Sequence, residues 1–283
     1  MKPVAHFSTD QGHCRETNED AYFDASHLPW DLTDSNGYLY AVADGMGGVA
    51  GGGIASNITV KALQEYYEKC RKHDLRRLPW KEWATQTISE LTNRINHYLA
   101  AGSYFNPDIP TDLGTTLVGI AIFKEEAVGF NIGDSRLYHF SIQKGFYQVS
   151  KDHNKARELL DEGKITSDGA RNHPDSHVLT HWLGGRSRMG VCQPDIFPLQ
   201  LCPGEMLLLC SDGLSGLVPD TEMAQCLLLH GNDLKKITDD LISKALSAGG
   251  YDNITVGIIQ LRPDEEEGHG KSEDRSHLVR LAG

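Results

Sequence analysis

The segment between Thr115 and Tyr138 constrains the fold more than any other part of the sequence. It holds three apolar pieces of strand length, and the gaps between them are too short for a crossover helix. Parallel strands need a connection of about a dozen residues, whereas antiparallel strands can be joined by a tight turn. The segment therefore predicts an antiparallel meander and argues against a doubly wound parallel sheet.

Other regions add strands and helices in an irregular order. Apolar runs of strand length occupy residues 38–43, 206–210 and 254–261. Apolar residues about four apart, which is typical of one helix face, recur over 54–70, 80–98 and 234–245. Strands and helices that do not alternate regularly indicate a layered α+β domain.

Acidic residues recur at the ends of the predicted strands. Any one of them alone is most often a turn residue. Several carboxylates brought to one cleft would repel each other unless cations lay between them, and oxygen-rich sites favour Mg²⁺ or Mn²⁺. Two such ions can activate a shared water for attack on phosphorus. The acidic residues in question are Glu19, Asp20, Asp44, Asp134, Asp212 and Asp252.

Charge and composition limit the classes of partner and the cellular compartment that we expect for this chain. The chain has 27 Lys and Arg against 39 Asp and Glu, a net charge of −12. This excess argues against nonspecific binding to nucleic acid or to an anionic membrane surface. The sequence has no signal-peptide pattern, no apolar stretch of roughly 18–20 residues and no C-x-x-C pair. We expect a cytoplasmic protein with reduced cysteines that serve mostly in packing, and no structural zinc.

The composition changes near Arg262. The residues that follow are almost wholly polar and cannot bury enough apolar surface to offset their ordering entropy. The sequence therefore predicts a folded domain over 1–262 and a disordered tail over 263–283.

Six short motifs give the sequence a resemblance to a known family. The motifs are RETNEDA (15–21), ADGMGG (43–48), GTT (114–116), NIGDSR (131–136), SDGL (211–214) and YDNIT (251–255). They occur in family order, and the chain resembles the metal-dependent protein phosphatases of type 2C, the bacterial branch in particular, over about residues 5–261.

The resemblance implies a fold and an activity. It implies an α+β fold with two antiparallel β-sheets packed as a sandwich and helices on both outer faces. The implied activity is hydrolysis of phosphoserine and phosphothreonine in proteins by a metal-bridged hydroxide, without a cysteine nucleophile. The expected protein is a monomer, and its expected partners are phosphorylated proteins, including a serine/threonine kinase or the targets of that kinase.

The resemblance also implies a metal site with two Mn²⁺ or Mg²⁺ ions. Asp44 matches the carboxylate that bridges the two ions, and Gly45 matches a backbone carbonyl ligand. Asp212 and Asp252 match ligands of the first metal.

The remaining matched residues concern the second metal, a third metal and the substrate. Glu19 and Asp20 match the acidic pair of the second metal, and Asp134 matches a residue that holds a third metal with Asp212 in bacterial relatives. Arg15 matches the arginine that binds substrate phosphate, for which a planar guanidinium is well suited. We expect Asn253 to support the ligands rather than to bind metal.

One family feature is missing near the first Asp-Gly. Where relatives carry a histidine as candidate acid for the leaving group, this chain has Met46, and a few residues on it has Val49. Metal-bound water or a histidine from elsewhere would then protonate the leaving group. We expect His153 to have a surface or loop-packing role, and residues 161–166 to form a variable flap beside the site.

Two competing motifs are weaker. Residues 45–50 fit the dinucleotide pattern G-x-G-x-x-A, but Glu65, where an acidic residue is expected, lies within a predicted helix and no βαβ unit is present. Residues 70–76 fit the C-x5-R loop of cysteine-dependent phosphatases, but they contain no glycine, and Cys70 lies on the apolar side of a predicted helix. We favour a structural interpretation of both.

Three histidines raise a zinc hypothesis. His173, His177 and His181 are four residues apart, which would place them on one face of a helix. Pro174 fits such a helix only in its first turn, so we consider a metal role the weaker interpretation.

Three functions stay open at this point. The first is an active metal-dependent phosphatase, and the second is a catalytically weak or inactive relative that acts as a phosphoprotein-binding regulator. The third is a phosphatase that acts on one dedicated regulator. The complete set of expected carboxylates favours the first.

Overall fold

The computed structural model describes residues 2–29, 33–34, 36–47, 51–69, 78–105, 113–171, 173–185 and 192–263. Val49, the C-x5-R motif at 70–76 and the predicted tail from 264 onward lie outside the described residues. The division of the chain at residue 262 therefore stays a prediction.

Strands and helices occur in separate groups along the described chain. The strands are β1 (Lys2–Asp10), β2 (Asp20–Asp24), β3 (Tyr38–Met46), β4 (Gly114–Thr115), β5 (Leu117–Phe123), β6 (Glu126–Ile132), β7 (Arg136–Ser141), β8 (Gly145–Gln148), β9 (Leu183–Gly184), β10 (Asp195–Gln200), β11 (Met206–Cys210) and β12 (Ile254–Arg262). The helices are α1 (Gly51–Lys69), α2 (Trp80–Phe105), α3 (Lys155–Asp161), α4 (Ser167–Arg171), α5 (Asp212–Ser215), α6 (Asp220–His230) and α7 (Leu234–Ser247).

The strands form two sheets. One sheet has five strands in the order β1-β12-β11-β7-β8. The other has seven strands in the order β10-β6-β5-β3-β4-β9, and β2 pairs with β3 beside this path. Each strand pair with a recorded register is antiparallel, including the meander β5-β6 predicted from the short gaps. Among the described residues there is thus no parallel βαβ unit of the kind that the dinucleotide motif requires.

The core is layered, as strand periodicity requires. In β11, Leu207 and Leu209 join the apolar cluster between the two sheets, while Met206, Leu208 and Cys210 join the cluster under the helices α6 and α7. A third cluster lies between the seven-stranded sheet and the helices α1 and α2. Truncation of a fully buried leucine in such a layer costs about 2–5 kcal/mol. The sandwich with helices on both outer faces is confirmed.

The hypothesis of a helix that carries three histidines on one face is wrong. Helix α4 ends at Arg171, and residues 174–177 form turns, followed by an isolated bridge between Leu179 and Asn154. His173, His177 and His181 therefore do not share a helix face.

Candidate metal centre

Two aspartates face each other across the strand pair β2–β3. Asp20 opens β2 and pairs directly with Asp44 of β3 in the antiparallel register. The prediction that Asp44 follows its strand is wrong in detail, because β3 continues to Met46 through its pairing with β4. Like charges directly opposite each other are destabilising in a sheet. The register thus places two carboxylates where a cation between them would be favourable.

Neighbouring hydroxyl groups hold the backbone of Asp44. Its amide donates to the Thr116 hydroxyl (3.1 Å), and its carbonyl accepts from the Thr116 amide (2.9 Å) and the Thr115 hydroxyl (2.9 Å). Thr116 in turn contacts the Ser135 hydroxyl at 2.7 Å. These contacts fix the position of Asp44, and the sequence motif GTT gave no indication of this role.

Helix α1 begins against the same strand. A Cβ atom at Gly45 would lie 2.2 Å from the carbonyl oxygen of Gly52 and 2.6 Å from that of Glu19. Only glycine permits this close approach, which also brings the amide of Gly53 within 3.3 Å of the Glu19 carboxylate. The predicted ligands Glu19 and Gly45 therefore lie beside each other at the start of α1.

Asp212 stands at the junction of β11 and α5. Strand β11 ends at Cys210, and Ser211 is the residue before the helix. The Ser211 hydroxyl donates to Asp20 at 2.8 Å and accepts from the Thr255 amide at 2.9 Å. Ser211 thus ties the end of β11 to the beginning of β2, which brings Asp212 to Asp20.

Asp134 follows β6, as predicted. The preceding Gly133 has a φ of 109°, and a Cβ atom there would lie 2.6 Å from the Thr116 side chain. Gly133 therefore forms a turn that other residues adopt only with strain. The turn leaves Asp134 buried, with 7% of its surface exposed.

Arg15 and Asp252 form a pair at the rim. The guanidinium donates to Asp252 at 2.7 Å, and the two side chains are 50% and 34% exposed. This hydrogen bond is the main reason why the pKa of Arg15 is raised. Asp252 precedes β12, as predicted.

The side chain of Asn253 holds the loop that carries Glu19. It accepts from the Glu19 amide (2.8 Å) and donates to the carbonyls of Gln11 (2.9 Å) and Thr17 (3.0 Å). Both of its polar atoms are engaged in the loop, which favours a supporting role over metal ligation.

The carboxylates at the strand ends perturb one another. Burial is the main cause that raises the pKa of Asp20 to about 7, and it also raises the pKa of Asp44 and Asp134 well above the usual value. The pKa of Asp212 is raised by burial and by the charge of Asp252. Asp44 lies near Asp20, Asp212, Asp134 and Asp252, and these negative charges raise its pKa further. The site therefore favours either protons or cations.

A cleft of about 730 Å³ opens onto three of these carboxylates. Asp134, Asp212 and Asp252 line it, and so do His177 and residues of α3 and α4, the two helices on either side of residues 161–166. The predicted flap is thus part of a segment that borders the site.

Comparison with known proteins identifies the family. The chain matches the family Protein phosphatase 2C over residues 12–247. It belongs to that family. It is 34% identical over 258 residues to the serine/threonine phosphatase stp of Listeria monocytogenes, and the match covers 90% of this chain and 95% of that protein.

Solved structures agree with this assignment. The crystal structure of the Mycobacterium tuberculosis serine/threonine phosphatase PstP/Ppp has a TM-score of 0.77 and 29% identity, and the match covers 92% of this chain and 99% of that one. A PstP catalytic domain in complex with two manganese ions has a TM-score of 0.74 and 28% identity over 92% of this chain and 99% of that one.

The chain is accordingly a type 2C serine/threonine protein phosphatase. Its substrates are phosphorylated proteins, and the family is metal-dependent. No helix in the described ranges is long and apolar enough to cross a membrane.

The phosphatase site fits divalent ions by its donor set. One oxygen each of Asp20 and Asp212 is buried and lacks a hydrogen-bond partner among the described residues. Hard oxygen donors of this kind suit Mg²⁺ and Mn²⁺. Within the described ranges, no three histidine, cysteine or acidic side chains converge closely enough to hold an ion as they stand.

Proposed function

We propose that this phosphatase hydrolyses phosphoserine and phosphothreonine with the help of two divalent ions held by the strand-end carboxylates. Asp44 would hold both ions, and the carbonyl of Gly45 would be a further ligand. Two bound Mn²⁺ or Mg²⁺ ions would lower the pKa of a water that they share, so that a metal-bridged hydroxide attacks phosphorus. The remaining ligands are Glu19, Asp20, Asp212 and Asp252.

One observation carries this proposal. Asp20 and Asp44 oppose each other in the register, and burial is the main cause that raises the pKa of both. The charges of Asp212 and Asp252 raise the pKa of Asp20 further, and the charge of Asp20 adds to the rise at Asp44. Such an arrangement is unfavourable for structure alone, since surrounding carboxylates add to the repulsion. Bound cations would offset that repulsion, and this accounts for the close placement of the carboxylates.

Arg15 binds the phosphate in this proposal. Its side chain is half exposed at the mouth of the site and is held by Asp252. A guanidinium presents parallel N–H groups to two phosphate oxygens and neutralises charge that develops during in-line attack. Arg15 therefore orients the phosphoryl group toward the carboxylate cluster.

The decisive experiment measures hydrolysis of a phosphothreonine peptide with and without Mn²⁺. We expect wild-type activity only with the metal, and a loss of about three orders of magnitude in Asp44→Ala, because the bridging ligand is removed. Asp239→Asn is the matched control, since Asp239 is an exposed carboxylate paired with Lys235 on α7.

The outcomes separate the candidate functions. Activity that persists without metal or in Asp44→Ala contradicts the two-ion mechanism. Binding of the phosphopeptide without turnover in excess Mn²⁺ supports the inactive phosphoprotein-binding regulator instead.

We further infer a third ion site at Asp134 and Asp212. Both side chains line the open cleft, and Asp212 is the main charge that raises the pKa of Asp134. Calorimetric titration with Mn²⁺ tests this inference, because Asp134→Ala should lose one bound ion and keep two.

We propose a cytoplasmic monomer that reverses the phosphorylation made by a serine/threonine kinase, with residues 1–262 as the catalytic domain. A chain ending at residue 262 that runs as a monomer in light scattering and keeps full turnover would support the monomeric state and the catalytic domain over residues 1–262. Loss of turnover on truncation would contradict the division of the chain.

A further inference from the structure

His153 contacts the turn that presents Asp134. The amide of His153 donates to the carbonyl of Gly133 at 2.9 Å, and the amide of Gly133 donates to Nδ1 of His153 at 3.2 Å. Both backbone groups of Gly133 are therefore bound by one residue, 20 positions further along the chain. Asp134 is the next residue, so the contact acts directly on a carboxylate of the site.

The other ring nitrogen is held from the neighbouring strand. Nε2 of His153 lies 3.2 Å from the carboxylate of Asp195, and the His153 side chain is only 11% exposed. Asp195 opens β10 and pairs in register with Asn131 of β6, the strand that leads into Gly133. The ring is thus braced against the same sheet that carries the turn.

These contacts select one form of the ring. An amide N–H can only donate, so Nδ1 must be without a proton in order to accept from Gly133. The proton then resides on Nε2, which donates to Asp195. Asp195 therefore fixes both the orientation and the tautomer in which His153 can hold Gly133.

A further contact limits movement of the turn. The side-chain amide of Asn131 donates to the carbonyl of Gly133 (3.0 Å) and to that of Lys151 (2.9 Å). Asn131 thereby ties the start of the turn to the segment that delivers His153. The ring of His153 is nevertheless the recorded side-chain partner of the Gly133 amide.

We propose that His153 is a positioning residue of the phosphatase, which fixes the Gly133–Asp134 turn through Nδ1 and is itself aligned by Asp195. This inference rests on the proposed metal role of Asp134. It assigns to His153 a function in the reaction although His153 itself is not among the residues that line the cleft.

Two substitutions separate the two ring nitrogens. His153→Asn keeps an acceptor at the δ position, so we expect kcat and the Mn²⁺ requirement within about threefold of wild type. His153→Gln moves its polar atoms one bond further out, toward the position of Nε2, and should behave like His153→Ala. For these two we expect a fall in kcat and a rise in the Mn²⁺ concentration for half-maximal binding of about tenfold, as for other residues that orient metal ligands.

His230→Asn is the matched control. His230 also pairs with an aspartate at 3.2 Å, and its side chain is 10% exposed, but it lies on α6 against α7. It should leave both quantities unchanged. Mn²⁺ binding is followed by electron paramagnetic resonance, so that this readout is independent of turnover.

Amide exchange of Gly133 in the metal-free protein provides the structural test. The amide should be protected in wild type and His153→Asn and should exchange faster in His153→Gln. A double-mutant cycle adds the functional test, because His153→Gln should have no further effect on Mn²⁺ binding in an Asp134→Ala background.

The inference is overturned if His153→Gln keeps wild-type kcat and Mn²⁺ affinity, or if its effect adds fully to that of Asp134→Ala. A loss of stability in the variants does not by itself decide between these outcomes. His153→Asn and His153→Gln are compared directly where their melting temperatures are equal, and by Gly133 exchange alone where they are not. Failure of the proposed function is a different result, namely a wild-type protein without metal-dependent turnover.

Discussion

The site has a buried part, in which like charges oppose each other, and an exposed part, in which opposite charges are paired. In the buried part, Asp20 and Asp44 oppose each other, and desolvation and repulsion raise their pKa values. At the rim, Asp252 is already paired with Arg15 at 2.7 Å in water-accessible surroundings. Exposed ion pairs contribute little to stability. In the proposed mechanism the buried part therefore holds metal, while Arg15 at the rim exchanges Asp252 for substrate phosphate.

Asp212→Asn tests the buried part and should have the largest effect. Loss of a charged metal ligand should lower kcat about a thousandfold. The same change should raise the melting temperature of the metal-free protein, because it removes one of the repelling charges. Kinetics with Mn²⁺ and thermal melts in EDTA measure the two effects. A variant that is both inactive and less stable in EDTA would show that repulsion is not what the metal relieves.

Arg15→Lys tests the rim and should have a smaller effect. A lysine keeps the charge but not the planar fork, so we expect KM for the phosphopeptide to rise about tenfold or more with a smaller change in kcat. Melting temperature should be unchanged, since the pair is exposed. An equal fall in kcat and kcat/KM would instead place Arg15 in the transition state alone.

The pH dependence of stability distinguishes the buried part from the rim, and it is measured without an activity assay. Asp20 has a pKa of about 7 in the folded protein, above the usual value for an unfolded chain. The folded state therefore binds the proton more tightly, and metal-free stability should be greatest at low pH and fall as pH rises from about 4 through 7. Thermal melts in EDTA at pH 5 and pH 8 should show the lower melting temperature at pH 8, and the difference should shrink in Asp20→Asn. A melting temperature that rises with pH by the same amount in both proteins would contradict this.

Cys70→Ser should have the smallest effect of all. The proposed mechanism uses carboxylates and Arg15, so the C-x5-R motif has no part in it, and turnover should stay within about twofold of wild type. Steady-state kinetics decide, and a loss of activity at unchanged stability would revive the cysteine alternative.

Local sequence patterns predict the strands whose position does not depend on pairing with residues far along the chain. Strand β11 was predicted to the residue, because a fully apolar run has no alternative to a buried position. Strand β8 (Gly145–Gln148) was missed, since it is short and half of its residues are exposed. Strand β3 extends past its predicted end because β4, far along the chain, pairs with Gly45 and Met46.

The same limit applies to the site. Carboxylates at strand ends are visible in the sequence, and their recurrence indicated metal. The supports are not visible, because Thr116 lies 72 residues from Asp44, and Asn253 lies 234 from Glu19. No periodicity relates such pairs, so only the folded chain shows that these side chains fix the ligands.

The direct opposition of Asp20 and Asp44 has a consequence for how the sequence can change. Side chains alternate between faces along a strand, so a slip of one residue between β2 and β3 would turn one of the two aspartates to the other side of the sheet. Insertions in the connection between these strands leave the alignment intact, whereas a single deletion inside either strand would dismantle the site while leaving the fold recognisable. The lengths of β2 and β3 are therefore under stricter control than the length of the loop between them.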